Sequence, residues 1–475
     1  MFILKSTNKN FLYNIIYQVF IFIIPLITTP YVSRILGVNN VGIYSYTYSI
    51  VYYFMLASML GINNYGAREI AKASNNKNKL SKTFFSIYFL QLICCGIMAI
   101  LYIIVSSLYQ YDHKEIMFIQ FIYLISCIFD INWFFFGLEK FKITISRNVI
   151  IKMLSLILIF TLVNSRSELW LYTLIMSGST LISQIYLWIY VKKEIHFYKP
   201  TFKEIFKHLP ECLILFIPII SYSIYRVMDK TLIGAISNTV QLGNFESAEK
   251  IINIPISFIT ALGTVMMPHM SKTTNDEYME KLNDTFKLCF FFIIPMIIGL
   301  FVISDDFSNV FFGDEFSFTG TIIKYLLPTI LFSAITNVIR SNYLIPKGKN
   351  NIYVISTILG AVVNLILNLI FIKRYGALGA CIGTLAAEFT VMFYQILATR
   401  KIINYIKVFK IGIPFLIESL LVGLLIYLTG IVINNIWTRL IVQIIIAVII
   451  YITINWKYII YDFFGKKTKK KIKMA

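Results

Sequence analysis

The sequence predicts an all-α polytopic membrane protein of about 14 transmembrane helices, arranged as two parallel six-helix bundles plus two C-terminal helices. Three observations carry that expectation. Hydrophobic residues make up 58% of the 475 positions, charged residues only 14%, and mean hydropathy is +0.75, too little charge to clothe a soluble chain of this length. Apolar runs of spanning length, roughly 20 residues, recur from end to end. Basic residues collect in alternate gaps between those runs.

The first run, 11–33, follows Lys5 and Lys9 without a small-residue cleavage site, so it reads as a retained span and not a signal peptide. The second, 41–62, begins at Gly42-Ile-Tyr-Ser-Tyr. The third and fourth occupy 84–108 and 116–137, and Asp130 falls in the cytoplasmic half of the fourth. Runs at 149–164 and 169–191 complete a first bundle, residues 1–200. The seventh and eighth, 211–236 and 245–270, carry charges within their length, and polar residues dilute the eighth most. Runs at 287–304, 321–345, 351–372 and 377–399 complete a second bundle, residues 201–408. Two further spans, 411–431 and 438–460, and a basic cytoplasmic tail make up 409–475. Pro25, Pro218, Pro255, Pro295 and Pro328 fall where they can kink or break helices.

Loop charge sets the orientation. With the N-terminus inside, 33 of the 43 lysines and arginines fall in inside segments, seven outside, and three (Arg226, Lys230 and Lys250) within spans. That bias demands an even number of spans with both termini cytoplasmic. A net charge of +20 would suit nucleic acid if it formed one groove, but here it sits in short tracts between apolar runs, so no nucleic-acid partner is expected. The tail Lys466 to Lys473 reads as a topological anchor or an anionic-lipid contact. All six cysteines lie in or beside apolar runs, which indicates no disulfide framework. No metal constellation, nucleotide-binding loop or cofactor motif is apparent.

A weak internal repeat supports the two bundles. Ile24-Pro25 matches Ile217-Pro218, Gly42 matches Gly243, and Leu60-Gly61 matches Leu262-Gly263, at offsets of 193 to 202 residues. A unit of six helices preserves orientation, so the halves are parallel repeats about an axis along the membrane normal, with binding expected between them.

Intramembrane charge marks the candidate site. Tyr222, Arg226, Asp229 and Lys230 follow i, i+4, i+7, i+8 spacing on the seventh span, and Glu246, Glu249, Lys250 and Asn253 form a similar stripe on the eighth. Each ionised group at a helix centre costs roughly 2.5–3.5 kcal/mol on insertion scales. Six facing lipid would cost roughly 15–20 kcal/mol, more than a typical domain's stability, so they must face one another or a wet cavity. A pairing network is one reading, because three positive and three negative charges cancel; ligand or ion binding is the other. Glu388 and Glu418 are single carboxylates in apolar runs, each a coupling-proton carrier or a cross-helix hydrogen-bonding group. His269 reads as an ordinary polar contact near a cytoplasmic end.

Five stretches resemble a known family. They are Tyr65-Gly66-Ala-Arg68-Glu69-Ile-Ala; Asp130-Ile-Asn-Trp133-Phe-Phe-Phe-Gly137-Leu-Glu139-Lys140, continuing to Arg147-Asn148; Met228-Asp229-Lys230 with Glu246-Ser-Ala-Glu249-Lys250; Leu344-Ile-Pro346-Lys-Gly348; and Gly376-Ala-Leu-Gly379-Ala-Cys-Ile-Gly383. In this order they resemble Wzx-type O-antigen and polysaccharide repeat-unit flippases of the multidrug/oligosaccharidyl-lipid/polysaccharide exporter superfamily, over residues 10–400 or so. The resemblance implies two six-helix bundles around a cavity, with two extra helices. It implies a non-enzymatic transporter that moves undecaprenyl-diphosphate-linked oligosaccharide between leaflets by alternating access, for O-antigen or capsule. Arg34, Arg226, Lys230 and Lys250 would hold the diphosphate. Arg68, Trp133, Glu139, Lys140 and Arg147 would form the cytoplasmic motif. Partners would be the lipid bilayer, the lipid-linked glycan, and a polysaccharide polymerase with its chain-length machinery. Because the charges of spans seven and eight sum to zero, Asp229, Glu246, Glu249 and Glu388 stand as candidates for coupling to H+ or Na+. The alternatives are a multidrug/cation antiporter of the same superfamily, or a membrane glycan polymerase or ligase. The external segment of about Asp305 to Gly320 reads as a short solvated loop, too small for such an enzyme's catalytic loop.

Overall fold

The structure, a computed structural model, describes residues 2–271 and 275–458. The side chains of Lys5, Lys9, Pro218, Tyr222 and His269, and all of Lys272 and the basic tail, lie outside the described residues.

Helix α1 (Phe2–Met59) has 58 residues, about 87 Å at 1.5 Å per residue, enough to cross a bilayer twice. It is two helices joined at Gly37, whose φ of 77° and ψ of 167° suit only a residue without Cβ. The first two expected spans are its two halves. After Leu60 and Gly61, both at positive φ, comes the short α2 (Ile62–Ala73). The Asn76 side chain then accepts from the Asn78 and Lys79 amides and starts α3 (Lys77–Leu108). Helix α4 (Lys114–Ile128) is interrupted at Phe129–Ile131 and resumes as α5 (Asn132–Gly137). There follow α6 (Phe141–Leu162), α7 (Leu169–Glu194), the one-turn α8 (Phe202–Phe206), held by a Thr201/Glu204 capping box, and α9 (Leu209–Ile236).

The remaining helices are α10 (Thr239–Ser271), α11 (Asn275–Phe312), α12 (Ser317–Ile339), α13 (Asn350–Tyr375), α14 (Ala377–Thr399), α15 (Tyr405–Val432), α16 (Ile436–Ile454) and α17 (Trp456–Tyr458). The described residues contain no strand, and ten helices are long and apolar enough to cross a membrane. The halves of α1, with α9 and α10, whose internal charges lower their hydropathy, bring the count to about 14. The chain is a multi-pass, all-α membrane protein.

Two compact units divide the chain at Glu246/Ser247. The first unit contains α9 and the first turns of α10 besides the helices of the expected first bundle. Its core centres on Trp133, fully buried against Phe84 and Phe134, with Tyr88, Trp188 and Leu187 close by.

In the second unit, α13 and α14 form a hairpin closed at Gly376. Gly379, Gly383 and Ala387 recur every four residues on α14; Gly379 lies against the Phe371 backbone and Gly383 against the Asn368 side chain. This small-residue stripe lets the helices approach closely, and Asn368 donates to Asn364 at 3.1 Å inside the hairpin. Helices α15 and α16 pack on α11, where Arg439 grips Asp306 through two bonds of 2.5 and 2.6 Å and Tyr451 donates to the Phe291 carbonyl at 2.8 Å. The outer face of α15, with Ile417, Leu420, Leu421, Leu424 and Ile431 all exposed, is a surface suited to lipid.

Candidate functional site

Two of the recognised sequence stretches form one piece of structure. Gly66 on α2 lies flat on the Trp133 indole; a Cβ there would come within 2.6 Å of the ring. Trp133 Nε1 donates to Gln91 Oε1 at 3.0 Å, and Gln91 Nε2 donates to the Cys127 and Asp130 carbonyls at 2.6 and 2.9 Å. Gln91 thereby satisfies carbonyls released where α4 breaks before α5. Asp130 Oδ1 accepts from the Asn132 backbone and side-chain nitrogens at 3.0 and 2.7 Å. Arg147, 3% exposed, donates to the side chains of Gln184, Asn132 and Asn148. Glu139 is a non-glycine residue at φ 56°, where the Lys140 amide bonds the Phe135 carbonyl and the Glu139 amide bonds Phe136. Those are the two bonds of a Schellman cap ending α5. Lys140 pairs with Glu194. Trp133, Glu139, Lys140 and Arg147 thus shape the helix break.

Arg68 pairs with Glu69 and Glu211 on the exposed side of α2. One turn away, the Tyr65 hydroxyl meets Nδ1 of buried His208 at 2.5 Å, at the head of α9. Burial, then neighbouring Lys207, pull the His208 pKa from 6.5 down to about 4, against an opposing pull from Glu69 and Glu211. On the preceding α8, Glu204 is held at about 2, chiefly by Lys82 at 2.5 Å and by the Thr201 amide.

The intramembrane charges form a second cluster. Lys230 on α9 pairs with Glu246 on α10 at 2.7 Å, with the two side chains 21% and 15% exposed. Ser45, on the second half of α1, donates to the same Glu246 oxygen at 2.9 Å. One turn on, Ser49 bonds the Thr231 hydroxyl at 2.9 Å. Lys230, Thr231, Glu246, Ser45 and Ser49 therefore tie three helices together with polar groups, about two turns from the end of α9 and from the start of α10.

The other expected site residues are more dispersed. Arg34 is exposed on α1 before the Gly37 kink. Arg226 is half-buried on α9, and Asp229 is 5% exposed within electrostatic reach of Tyr53. Glu249 and Lys250 are half-buried on α10 within the second unit, as is Glu388 midway along α14. Glu418 accepts from Asn455 at 2.9 Å, the cross-helix hydrogen bond that was one of its two readings.

Charge patterning alone misses the tyrosines around the ion pair. Tyr44, Tyr48 and Tyr52 occupy one face of α1 at four-residue spacing. Tyr48 and Tyr172 lie close enough to Glu246 to feel its charge, and Tyr48 also feels Lys230. The signal was present in the sequence as the run Tyr44-Ser-Tyr-Thr-Tyr48-Ser-Ile-Val-Tyr-Tyr53.

A family described as "polysaccharide biosynthesis protein" matches residues 7–274. A Shigella dysenteriae protein named as an O-antigen transporter is 26% identical over 385 residues, 80% of this chain and 96% of its own length. A lipid II flippase, MurJ, of Bacillus subtilis is 27% identical over 222 residues, 44% of this chain and 40% of its own. Among solved structures, a lipid II flippase MurJ in an inward closed conformation superposes with a TM-score of 0.74 at 19% identity, covering 95% of this chain and 99% of its own. An inward-facing multidrug resistance MATE family transporter of the MOP superfamily gives 0.60 at 15% identity over 80% and 94%. Those two likenesses carry the fold.

Proposed function

The chain belongs to the polysaccharide biosynthesis protein family, as a Wzx-type polysaccharide transporter, and on that premise we propose that it flips an undecaprenyl-diphosphate-linked oligosaccharide between leaflets of the bacterial cytoplasmic membrane. The observation that carries this reading is the Lys230–Glu246–Ser45 cluster. A diphosphate is multiply anionic and cannot cross hydrocarbon unaided. A fixed cation can accept it, but an uncompensated cation inside a membrane is costly while the site is empty. Glu246 supplies the compensation in that resting state. On arrival of the diphosphate, Lys230 exchanges its carboxylate partner for phosphate oxygens, and Glu246, left beside Ser45, takes up a proton. When the ligand leaves at the outer face, Glu246 gives up its proton there and re-pairs with Lys230, so proton and ligand cross together and the proton gradient acts on transport. The conformational cycle is alternating access, with both termini cytoplasmic and the product delivered to the outer leaflet for a polymerase and its chain-length machinery.

A strain deleted for the gene tests the proposal. Complete lipid-linked repeat units trapped on the cytoplasmic face are expected. Absence of complete units would point to an assembly step, and normal surface glycan with altered drug sensitivity would point to an antiporter; either result overturns the reading.

A further inference from the structure

The second half of α1 carries three half-buried tyrosines, Tyr44, Tyr48 and Tyr52, on one face. The Tyr44 and Tyr48 rings are 6.0 Å apart and parallel to within 8°; Tyr48 and Tyr52 are 6.1 Å apart at 40°. Tyr123 on α4 and Tyr172 on α7 back them edge-on, at 5.2 Å from Tyr48 and 5.1 Å from Tyr44. The row is therefore rigid and braced from behind.

Several neighbouring tyrosines use their hydroxyls within the protein. Tyr31, Tyr46, Tyr65 and Tyr102 each bond a neighbour through the hydroxyl, and Tyr44 bonds Tyr123 at 2.8 Å. Buried tyrosines ordinarily find such a partner. Tyr48 and Tyr52 make no hydroxyl hydrogen bond among the described residues, and neither ring is fully covered. Both hydroxyls can therefore bond a ligand.

We infer that the Tyr44–Tyr48–Tyr52 row is a saccharide-binding track, which stacks the C–H faces of pyranose rings on the tyrosine rings and bonds sugar hydroxyls through Tyr48 and Tyr52. The inference rests on the function proposed above and names where the glycan goes. A pyranose presents polarised C–H groups on one face, and these meet the electronegative face of an aromatic ring. Parallel rings repeating along a helix offer successive platforms. Tyr48 lies within electrostatic reach of Lys230 and Glu246, so a ligand with its diphosphate at Lys230 sets its first sugars on this row. Stacking also suits transport, because a translocated ligand must be held weakly enough to leave.

The test uses the full-length protein in nanodiscs and two probes. One is the lipid-linked glycan extracted from host cells depleted of this protein; the other is bare undecaprenyl diphosphate. Wild type is expected to bind the glycan-bearing lipid about tenfold more tightly, a gain two stacking rings can supply. In Tyr48→Leu/Tyr52→Leu that ratio should collapse to about one, whereas Tyr48→Trp/Tyr52→Trp, which keeps the aromatic faces, should retain most of it. Thermal melting of each variant confirms folding. A wild-type ratio of one, or an undiminished ratio in the folded leucine variant, overturns the track while leaving the flippase reading intact. Failure of wild type to bind either lipid instead removes the proposed function beneath it.

Discussion

Gly42 and Gly243 meet backbone to backbone, in a contact that the internal repeat makes nearly symmetric. A Cβ on Gly42 would lie 1.8 Å from the Thr239 carbonyl oxygen, and one on Gly243 would lie 2.0 Å from that of Val38. Val38 and Thr239 are related by the same 201-residue shift as the two glycines. Each helix thus uses the glycine of one repeat against the carbonyl four residues upstream in the other, the self-complementary geometry of a twofold contact. Any side chain at either glycine must push backbone aside. Gly42→Ala and Gly243→Ala should each destabilise the protein by about 1–3 kcal/mol. Gly299→Ala on α11, where the added methyl meets open space, should be neutral or stabilising by about 0.5–1 kcal/mol. Melting temperatures in detergent check the contrast, and equal effects at all three positions would refute it.

Glu139 is the next prediction, because its left-handed conformation is tolerated and not preferred. Glu139→Gly should raise stability by about 1 kcal/mol, since the Schellman cap needs that conformation and glycine adopts it without strain. Glu139→Val should lower it. A drop in melting temperature for the glycine variant would show that the carboxylate itself matters.

His208 predicts a pH dependence. Its folded pKa of about 4 lies below the ordinary 6.5, so between those values the unfolded chain binds the proton more readily. Its contribution is present above pH 6.5 and lost as pH falls towards 4, by up to about 3 kcal/mol. His208→Gln should flatten that decline. A variant whose melting temperature keeps the wild-type pH profile would assign the sensitivity elsewhere.

Lys230 and Glu246 should fail in different ways. Lys230→Met removes a charge-assisted contact to the diphosphate, of about 1.5–3 kcal/mol, so export should fall by about tenfold or more at normal membrane levels. Glu246→Gln keeps the cation and should instead weaken the dependence of transport on the ion gradient. An unchanged gradient response removes Glu246 from coupling. By the same logic Arg226→Ala should abolish export, and normal export would clear Arg226 of any diphosphate role.

Fold class was legible because hydropathy and loop charge are one-dimensional signals. The repeat was legible because its glycines are fixed by a backbone contact, although sequence alone could not say that Gly42 and Gly243 touch each other. Lys230 and Glu246 were marked by the cost of burying charge, but their pairing required the helices to be placed. The sequence placed Lys230 and Glu246 on separate stripes, and the structure pairs them across two helices. Gln91 is not legible in the sequence, because a single glutamine in an apolar run carries no periodic signal; its importance comes from the α4/α5 break 36 residues away. The tyrosine row is not legible as a site in the sequence, because aromatic residues at helical spacing ordinarily mark a packed core.

The most direct measurement is leaflet transfer in proteoliposomes. Purified protein is reconstituted with the extracted lipid-linked glycan, and a glycan-reactive probe that cannot cross the bilayer reports the accessible fraction. Wild type should bring the inner-leaflet pool to the probe within the assay, and Lys230→Met should leave it protected. Protection in the wild-type vesicles, with the protein folded and the lipid present, would contradict the account.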